Sequence, residues 1–475
     1  MYFQKERMPK MTVKRMRRVG ILAIVCLIGL LPHALAGRMI YGGMEKAVPG
    51  ALYPYEAPEG GCLFDLEGNV YAEDGYYWID TFVSDAGERR FAATTAEGED
   101  MRCYLLDEKG RRLTDGEALW ITMNGDSILF QSTDGFFGVY GWNGETLVKP
   151  AYDRLLSTGD GSYIAMMEEG WNIKNDEVYL VKPGEQPVKI TLGDGDVTSL
   201  DNFHGGLASA SRDDGNSGRA GFIDATGRWK IPPVYDYTES FNGDYAVASL
   251  NGRVGLVDRE GNAALPFIYD SISFDDGDEP KTLAARQGTD LTAFDAETLE
   301  ALFHVGDVDY GWIAHSAALV VQGASVDQTR AYSLDGKLVC VIRDRDENLT
   351  IVNEDRYYVN NYINHTYRLC DFQGNTLMSG SGLMFDKMGE DGVSALGLDV
   401  FRVIDAGDGN TKVDWNRIRY GLYDLDGREL LEPKYDAIVQ ICEGYYAVIR
   451  GQWHGIVDSN GGWIIKRSNY TSLMD

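Results

Sequence analysis

The sequence predicts an all-β protein, with repeated short antiparallel sheets in a β-propeller-like array and an open β-solenoid or superhelix as the alternative. Three observations lead there. An Asp-x-x-Gly signature recurs along the chain with apolar runs on both sides, a Pro-x-Tyr-Asp follows it at a fixed distance, and successive copies start about 39 residues apart. That interval suits a unit of a few strands that gains its core by repetition.

The offsets are constant in the best copies. From Gly221 they give Asp224, Gly227, Pro233, Tyr235 and Asp236, and from Gly421 they give Asp424, Gly427, Pro433, Tyr435 and Asp436. Gly138 leads to Gly144, Pro150, Tyr152 and Asp153, and Gly255 leads to Asp258, Gly261, Tyr269 and Asp270. Looser copies place unit starts at 62, 104, 138, 178, 221, 255, 292, 330, 368, 421 and 455, about eleven units, and the long step after 368 holds a polar insertion at 405–410.

Each part of the unit has a physical reading. The turn glycine supplies the positive φ that closes a short hairpin loop. Pro cannot donate to a strand ladder and so ends the second strand, while the Tyr offers a ring to pack and a hydroxyl to anchor. A third strand follows Gly206, Gly243 and Gly444, in the runs 207–210, 245–248 and 446–449. Three strands, with a fourth in longer units, are too few to stand alone, so neighbours must stack into one core.

The chain divides into a signal peptide at 1–36, a lead-in at 37–61 and the repeat array at 62–475. Lys5, Arg7, Lys10, Lys14, Arg15, Arg17 and Arg18 precede an apolar run from Gly20 to Leu31, and Ala34 and Ala36 form a small-x-small pair, with cleavage expected before Gly37. This is the pattern of a secretory signal, and the run is short for a bilayer crossing of roughly 20 residues. An uncleaved N-terminal anchor is the alternative, and the only membrane attachment expected.

Loss of residues 1–36 removes seven cations and one anion, which leaves 37 Lys and Arg against 72 Asp and Glu, a net charge of −35. Such a surface repels nucleic acid and anionic lipid. Cys62, Cys103, Cys340, Cys370 and Cys442 remain, an odd number without a CxxC pair. They make no complete disulfide framework and suit buried strand positions.

The stretch from Gly218 to Asp236, with the tail at 203–208, resembles the units of the bacterial WG-repeat (KWG-repeat) family, and the resemblance covers about residues 62 to 475. It departs at the namesake tryptophan, where Phe137, Ala220, Val254, Tyr420 and His454 stand before the glycine. The resemblance implies an exported or surface repeat protein.

No catalytic, cofactor-binding or metal-ligating residue is assigned, and no cofactor is expected. His204, His304, His315, His365 and His454 form no HExxH pair, and the chain has no G-x-S-x-G elbow, P-loop or dinucleotide fingerprint. Asp344, Asp346 and Asn348 imitate a calcium loop, but Leu349 and Asp355 stand where Gly and Glu are needed. The acidic turns 193–196 and 275–279 read as solvated loops. Tyr152, Tyr235, Tyr269 and Tyr435 are read as packing residues between units, and Trp78, Trp142, Trp171, Trp312 and Trp415 as candidates for exposed contacts.

The function expected is that of an extracytoplasmic, noncatalytic binding or scaffolding protein that contacts a protein or a cell-surface glycan. The alternatives are a glycoside hydrolase using two carboxylates and a calcium-dependent adhesin.

Overall fold

The structure, a computed structural model, describes residues 47–468 apart from 58–59, 85, 98–99, 117, 125–126, 171, 214–217, 276–279, 383, 389–391, 398–402, 406–410 and 414–418. The expected signal peptide, Trp171, Trp415 and most of both polar loops at 276–279 and 406–410 therefore lie outside the described residues. Every regular helix or strand element among the described residues is a strand.

The strands form eleven antiparallel sheets in chain order, numbered here sheet 1 (53–76), sheet 2 (78–106), sheet 3 (118–152), sheet 4 (154–190), sheet 5 (197–235), sheet 6 (237–269), sheet 7 (271–305), sheet 8 (308–342), sheet 9 (347–381), sheet 10 (384–435) and sheet 11 (437–468). Nine have four strands, and sheets 1 and 2 have three, with Cys103 pairing with Ala118 to join sheets 2 and 3. Sheet 10 carries a small extra hairpin, Val403–Asp405 with Thr411–Val413, between its second and third strands. The long step in the repeat falls there.

All eleven unit starts read from the sequence fall on the strand that enters the Asp-x-x-Gly turn, for example Gly221 in Arg219–Asp224 and Gly255 in Arg253–Asp258. The phase differs from the sequence reading. The runs 207–210, 245–248 and 446–449, taken as the third strand of one unit, are second strands of a sheet. A repeat therefore straddles two sheets. The reason is that Tyr235 ends sheet 5 and Tyr237 begins sheet 6, so one residue, Asp236, makes the link without any turn signal.

Nine of the sheets carry the fourth strand that the sequence reading gives only to longer units. In sheet 6 the second and third strands are buried along most of their length, while the fourth alternates between exposed and covered positions. Strands with both faces covered carry apolar residues at consecutive positions. Ala246 and Ala248 accordingly face sheet 5, and Val247, between them, faces sheet 7.

The array closes into a ring. Eleven apolar layers separate the eleven sheets, whereas an open stack of eleven has only ten. The extra layer packs Tyr53, Tyr55, Cys62 and Phe64 of sheet 1 against Cys442, Ile456 and Ile465 of sheet 11. These seven buried residues match the number between sheets 3 and 4, so the seam is an interface of the ordinary kind. Each fully buried aliphatic or aromatic side chain contributes about 1.5–3 kcal/mol. The open-solenoid alternative is thereby set aside.

Candidate functional site: the repeat framework and the exposed aromatic strands

The constant residues of the repeat turn out to be framework. Asp65, Asp107, Asp224, Asp258, Asp371, Asp424 and Asp458 each accept backbone N–H bonds inside their own turns; Asp65 Oδ1, for instance, accepts from Glu67 at 3.0 Å and Asn69 at 2.9 Å. Burial alone would push the Asp65 carboxyl up, but the bonds from Asn69, Tyr71 and Glu67 outweigh it and hold the carboxyl below its ordinary range.

The glycine after the namesake position is fixed by close approach. A Cβ on Gly138, Gly221, Gly255 or Gly421 would lie 2.6, 2.5, 2.8 or 2.9 Å from the fourth-strand carbonyl oxygen of Val148, Ile231, Leu265 or Leu431. Gly455 faces the Ile465 carbonyl in the same way. In four of these sheets the register shifts beside the glycine, as it does between the pairs Ala220–Tyr235 and Phe222–Ile231, and that bulge brings the fourth strand in.

The Asp of Pro-x-Tyr-Asp braces adjacent sheets. Asp236 accepts from Arg219 Nη1 of sheet 5 at 2.5 Å and from the Gly252 amide of sheet 6 at 2.9 Å. Asp270 joins Arg253 to the Gly288 amide, and Asp436 joins Arg419 to the Gly451 amide at 2.6 Å each. Sequence reading missed this arginine, although Arg219, Arg253 and Arg419 all stand two residues before the unit glycine. These pairs are partly exposed, so each contributes only about 0.2–1 kcal/mol. Tyr235 completes the joint, its hydroxyl donating to the Gly261 carbonyl at 3.3 Å.

His454, in the namesake position of the last unit, is fully buried at the seam, where Nδ1 and the Tyr55 hydroxyl share a hydrogen bond of 2.6 Å and the two rings stack. The other four histidines lie in sheets 5, 7, 8 and 9 or their turns, and they converge on nothing. His304 pairs with Asp290 at 3.6 Å, and His315 and His365 sit in left-handed turns.

The calcium-like residues do not converge either. Asp344 caps the Asp346 amide at 3.0 Å, Asn348 lies within the strand Glu347–Ile351, and Asp355 pairs with Arg356 at 2.7 Å. Among the described residues no group of three or more His, Cys, Asp or Glu is placed to hold a metal ion. Asp275 is buried and saturated by Lys281, Thr282 and Ser316.

Among the described residues the exposed aromatics divide evenly: four stand on first strands, while Tyr71 and Trp453 stand on third strands and Tyr77 and Tyr362 between strands. Trp120, Tyr237, Tyr310 and Trp312 are 44, 43, 63 and 38% exposed, in sheets 3, 6, 8 and 8. The exposed aliphatics Leu147, Val188, Val234, Ile268, Leu302 and Leu338 stand instead on fourth strands. Fourth strands are the more open of the two edges: 263–269 alternates exposed positions throughout, whereas 154–157 and 437–442 have none. Edges that converge on a ring axis shade one another and edges at the rim do not, so the covered first strands fit the axial side, while 308–314, with three exposed positions, is as open as 263–269. Glu239, directly after the first strand of sheet 6, reaches solvent yet has its carboxyl pushed up by desolvation, and desolvation followed by the charge of Glu239 raises the Tyr237 hydroxyl.

Of the tryptophans named from sequence, Trp312 is exposed and Trp78 is partly covered, its indole N–H donating to Asp80 at 2.6 Å. Trp142 is a correction: it packs in the layer between sheets 2 and 3, with the Arg90 guanidinium 5.6 Å from its ring and Arg90 Nε donating to its carbonyl. Trp120 was missed, because nothing in its sequence surroundings separates a shaded edge from an open one. Tyr310 and Trp312, two residues apart on one edge strand, hold their rings 5.6 Å apart at 33°. Gly311 between them lets the strand press on Leu291 and Val321, which turns both rings outward together. Glu168 is a second raised carboxyl, through burial, but it faces Arg154 at 3.9 Å, and no hydrogen bond or ion pair joins it to Glu239.

Three segments, 221–253, 255–284 and 420–451, match the WG containing repeat family. Each match begins on or beside a third strand and ends in the next sheet. No curated protein matches the chain. Among solved structures, a eukaryotic initiation factor is similar at 12% identity over 82% of this chain and 97% of its own, with a TM-score of 0.39. AztD of Citrobacter koseri is similar at 9% identity over 70% of this chain and 94% of its own (TM-score 0.27), and Hsv2p of Kluyveromyces lactis at 9% over 62% and 91% (TM-score 0.26).

Proposed function

We propose, from the premise that this chain carries WG-containing repeats, that it is an extracytoplasmic, noncatalytic binding protein that holds a cell-surface glycan on the axial first strands. The observation that carries this reading is the Tyr310–Trp312 pair, two rings exposed side by side on one edge strand. Flat apolar rings fit the apolar faces of sugar rings, and exposing two of them to water is costly unless a ligand covers them. Trp120 and Tyr237 extend the same kind of surface to sheets 3 and 6. The net charge of −35 expected after loss of residues 1–36 favours neutral or cationic glycans over acidic ones. Export rests on the N-terminal charge and apolar pattern alone.

The test is a glycan array read with the parent protein and with the Tyr310→Ala/Trp312→Ala double variant, with and without EDTA. Glycan signals lost in the double variant and indifferent to EDTA support the proposal. Signals that vanish with EDTA point to a calcium-dependent adhesin, and an empty array together with a saturable protein partner points to protein recognition; either result overturns it. Turnover of chromogenic glycosides that disappears in Glu239→Gln overturns the noncatalytic part. N-terminal sequencing of the secreted protein checks cleavage before Gly37.

A further inference from the structure

Among the described residues a fourth strand is the last of its sheet, so one row of its backbone N–H and C=O groups has no neighbouring strand. Such an edge pairs readily with a foreign strand, and proteins blunt it with proline, lysine, a bulge or shortness. This molecule blunts most of its edges in those ways. Pro150, Pro232, Pro266 and Pro433 stand in the fourth strands of sheets 3, 5, 6 and 10, and each of those strands slips register at its proline. The fourth strand of sheet 4 is three residues long and holds Lys189, and that of sheet 11 holds Lys466 and Arg467. Sheets 7, 8 and 9 have neither proline nor lysine there. Sheet 8 is the extreme case, because Leu338, Val339, Cys340, Val341 and Ile342 form its fourth strand without a charge, a glycine or a proline. Segments of that composition pair with other strands most readily. Cys340, Val341 and Ile342 also keep regular register with the third strand, where sheets 5 and 6 bulge, and Leu338 is 48% exposed.

The flanking charges select the occupant. Lys337 and Arg343 bracket the strand, both are exposed, and neither makes an ion pair with a described residue. Asp335 of the adjoining turn accepts from the Ser333 hydroxyl, and Asp327 is taken by Arg345 at 2.5 Å. A second copy paired antiparallel about Cys340 would set Lys337 of one copy against Arg343 of the other, and a parallel copy would set each cation against itself. Two copies would also bring together chains of net charge −29 each. A foreign strand with carboxylates at its ends meets the cations favourably. The overall negative charge opposes it only beyond the screening length of about 8–10 Å, inside which Lys337 and Arg343 are its nearest unpaired charges. We propose that the edge Leu338–Ile342 is a docking site for an extended, acid-flanked peptide segment of another protein, which adds to sheet 8 as a fifth strand. Val341 stands five residues after the turn glycine Gly336, where Pro232 and Pro266 stand after Gly227 and Gly261. Sheets of this protein therefore form with no N–H at that place, which leaves the Val341 amide available to a partner. The edge lies on the side of sheet 8 opposite the strand of Tyr310 and Trp312, and the proposal stands whether or not that pair binds a glycan.

The experiment titrates the full chain with two dye-labelled synthetic peptides that share the core Thr-Val-Thr-Val-Thr, one with glutamates at both ends and the other with lysines. Fluorescence anisotropy reads affinity, and hydrogen exchange maps the site. The glutamate peptide is expected to bind about tenfold or more tighter than the lysine peptide, an advantage that shrinks with added salt, and to slow exchange at 338–342. Val341→Pro, which guards this edge as sheets 5 and 6 are guarded, is expected to weaken the glutamate peptide about tenfold or more through the lost backbone bond. The Lys337→Glu/Arg343→Glu double variant changes two exposed side chains, is expected to reverse the preference between the peptides, and covers the case in which Val341→Pro does not fold. The Tyr310→Ala/Trp312→Ala double variant is expected to bind like the parent. The proposal is overturned if neither peptide binds at millimolar concentration, if exchange slows away from 338–342, if a folded Val341→Pro binds like the parent, or if the charge variant keeps the parent's preference. Dimerisation of the parent that Val341→Pro abolishes would assign the edge to a second copy and likewise overturn it.

Discussion

Replacing Gly221 by Ala tests the claim that the unit glycine is there because the fourth strand comes too close for any side chain. The new Cβ would stand 2.5 Å from the Ile231 carbonyl oxygen and 2.8 Å from the backbone of Pro232. An ordinary carbon–oxygen contact is about 3.3 Å, so the fourth strand must retreat by about 0.8 Å. Backbone cannot swing aside as a side chain does, and overpacking of this kind costs about 1–3 kcal/mol. Retreat also loosens Ile231 and Tyr235, both buried in the layer shared with sheet 6, and losing part of an Ile burial adds about 1 kcal/mol. The expected loss is about 2–4 kcal/mol, read as a lower urea midpoint with an unchanged slope. Gly243→Ala is the control: a Cβ there meets nothing within 4 Å, and its φ of 56° carries only the left-handed penalty of about 1 kcal/mol. If Gly221→Ala costs no more than Gly243→Ala, the close-approach explanation is wrong.

The ring seam gives a second test. Tyr55→Phe removes the hydroxyl bonded to His454 Nδ1, and a loss of about 1–2 kcal/mol is expected, with faster hydrogen exchange at both 53–64 and 453–465; protection lost only near residue 55 would argue against closure. Asp160 accepts from Ser162 and Thr158, which holds its carboxyl down to about 2 against an ordinary 3.8. Its folded value is the depressed one, so its stabilising contribution is present above pH 3.8 and lost as pH falls toward 2; an NMR titration of that carboxyl with a midpoint near 4 would contradict this. Burial pushes the Cys103 thiol up to about 11, so it is expected to resist iodoacetamide at pH 8 until the protein unfolds, while the half-buried Cys340 reacts first; mass spectrometry of the labelled native protein decides.

Local chemistry was readable where a residue's role is set within its own unit. The Asp-x-x-Gly turn needs a carboxylate to bond backbone amides two and four residues ahead and a glycine at positive φ, and both requirements lie within seven residues, so Asp224 and Gly227 declared themselves. The phase of the sheets did not, because a bend at Asp236 between Tyr235 and Tyr237 looks in sequence like continuous strand. Exposure of aromatics was equally hidden. Trp142 and Trp120 both lie in sheet 3 or its turn, and only the neighbouring sheet decides that one is covered and the other open.

A closed ring has no privileged starting point. Because sheet 1 and sheet 11 meet in the same kind of layer as any other pair, the chain could be reopened at another one-residue link, such as Asp236 or Asp270, with the old ends joined by a linker, and still present the same eleven interfaces. Trimming is a different matter. Deleting the last sheet of an open stack bares one apolar face, but deleting sheet 11 here bares two, the Tyr53–Tyr55 face and the Leu431–Tyr435 face. The architecture therefore tolerates permutation far better than shortening, and gain or loss of a unit requires the whole circumference to readjust.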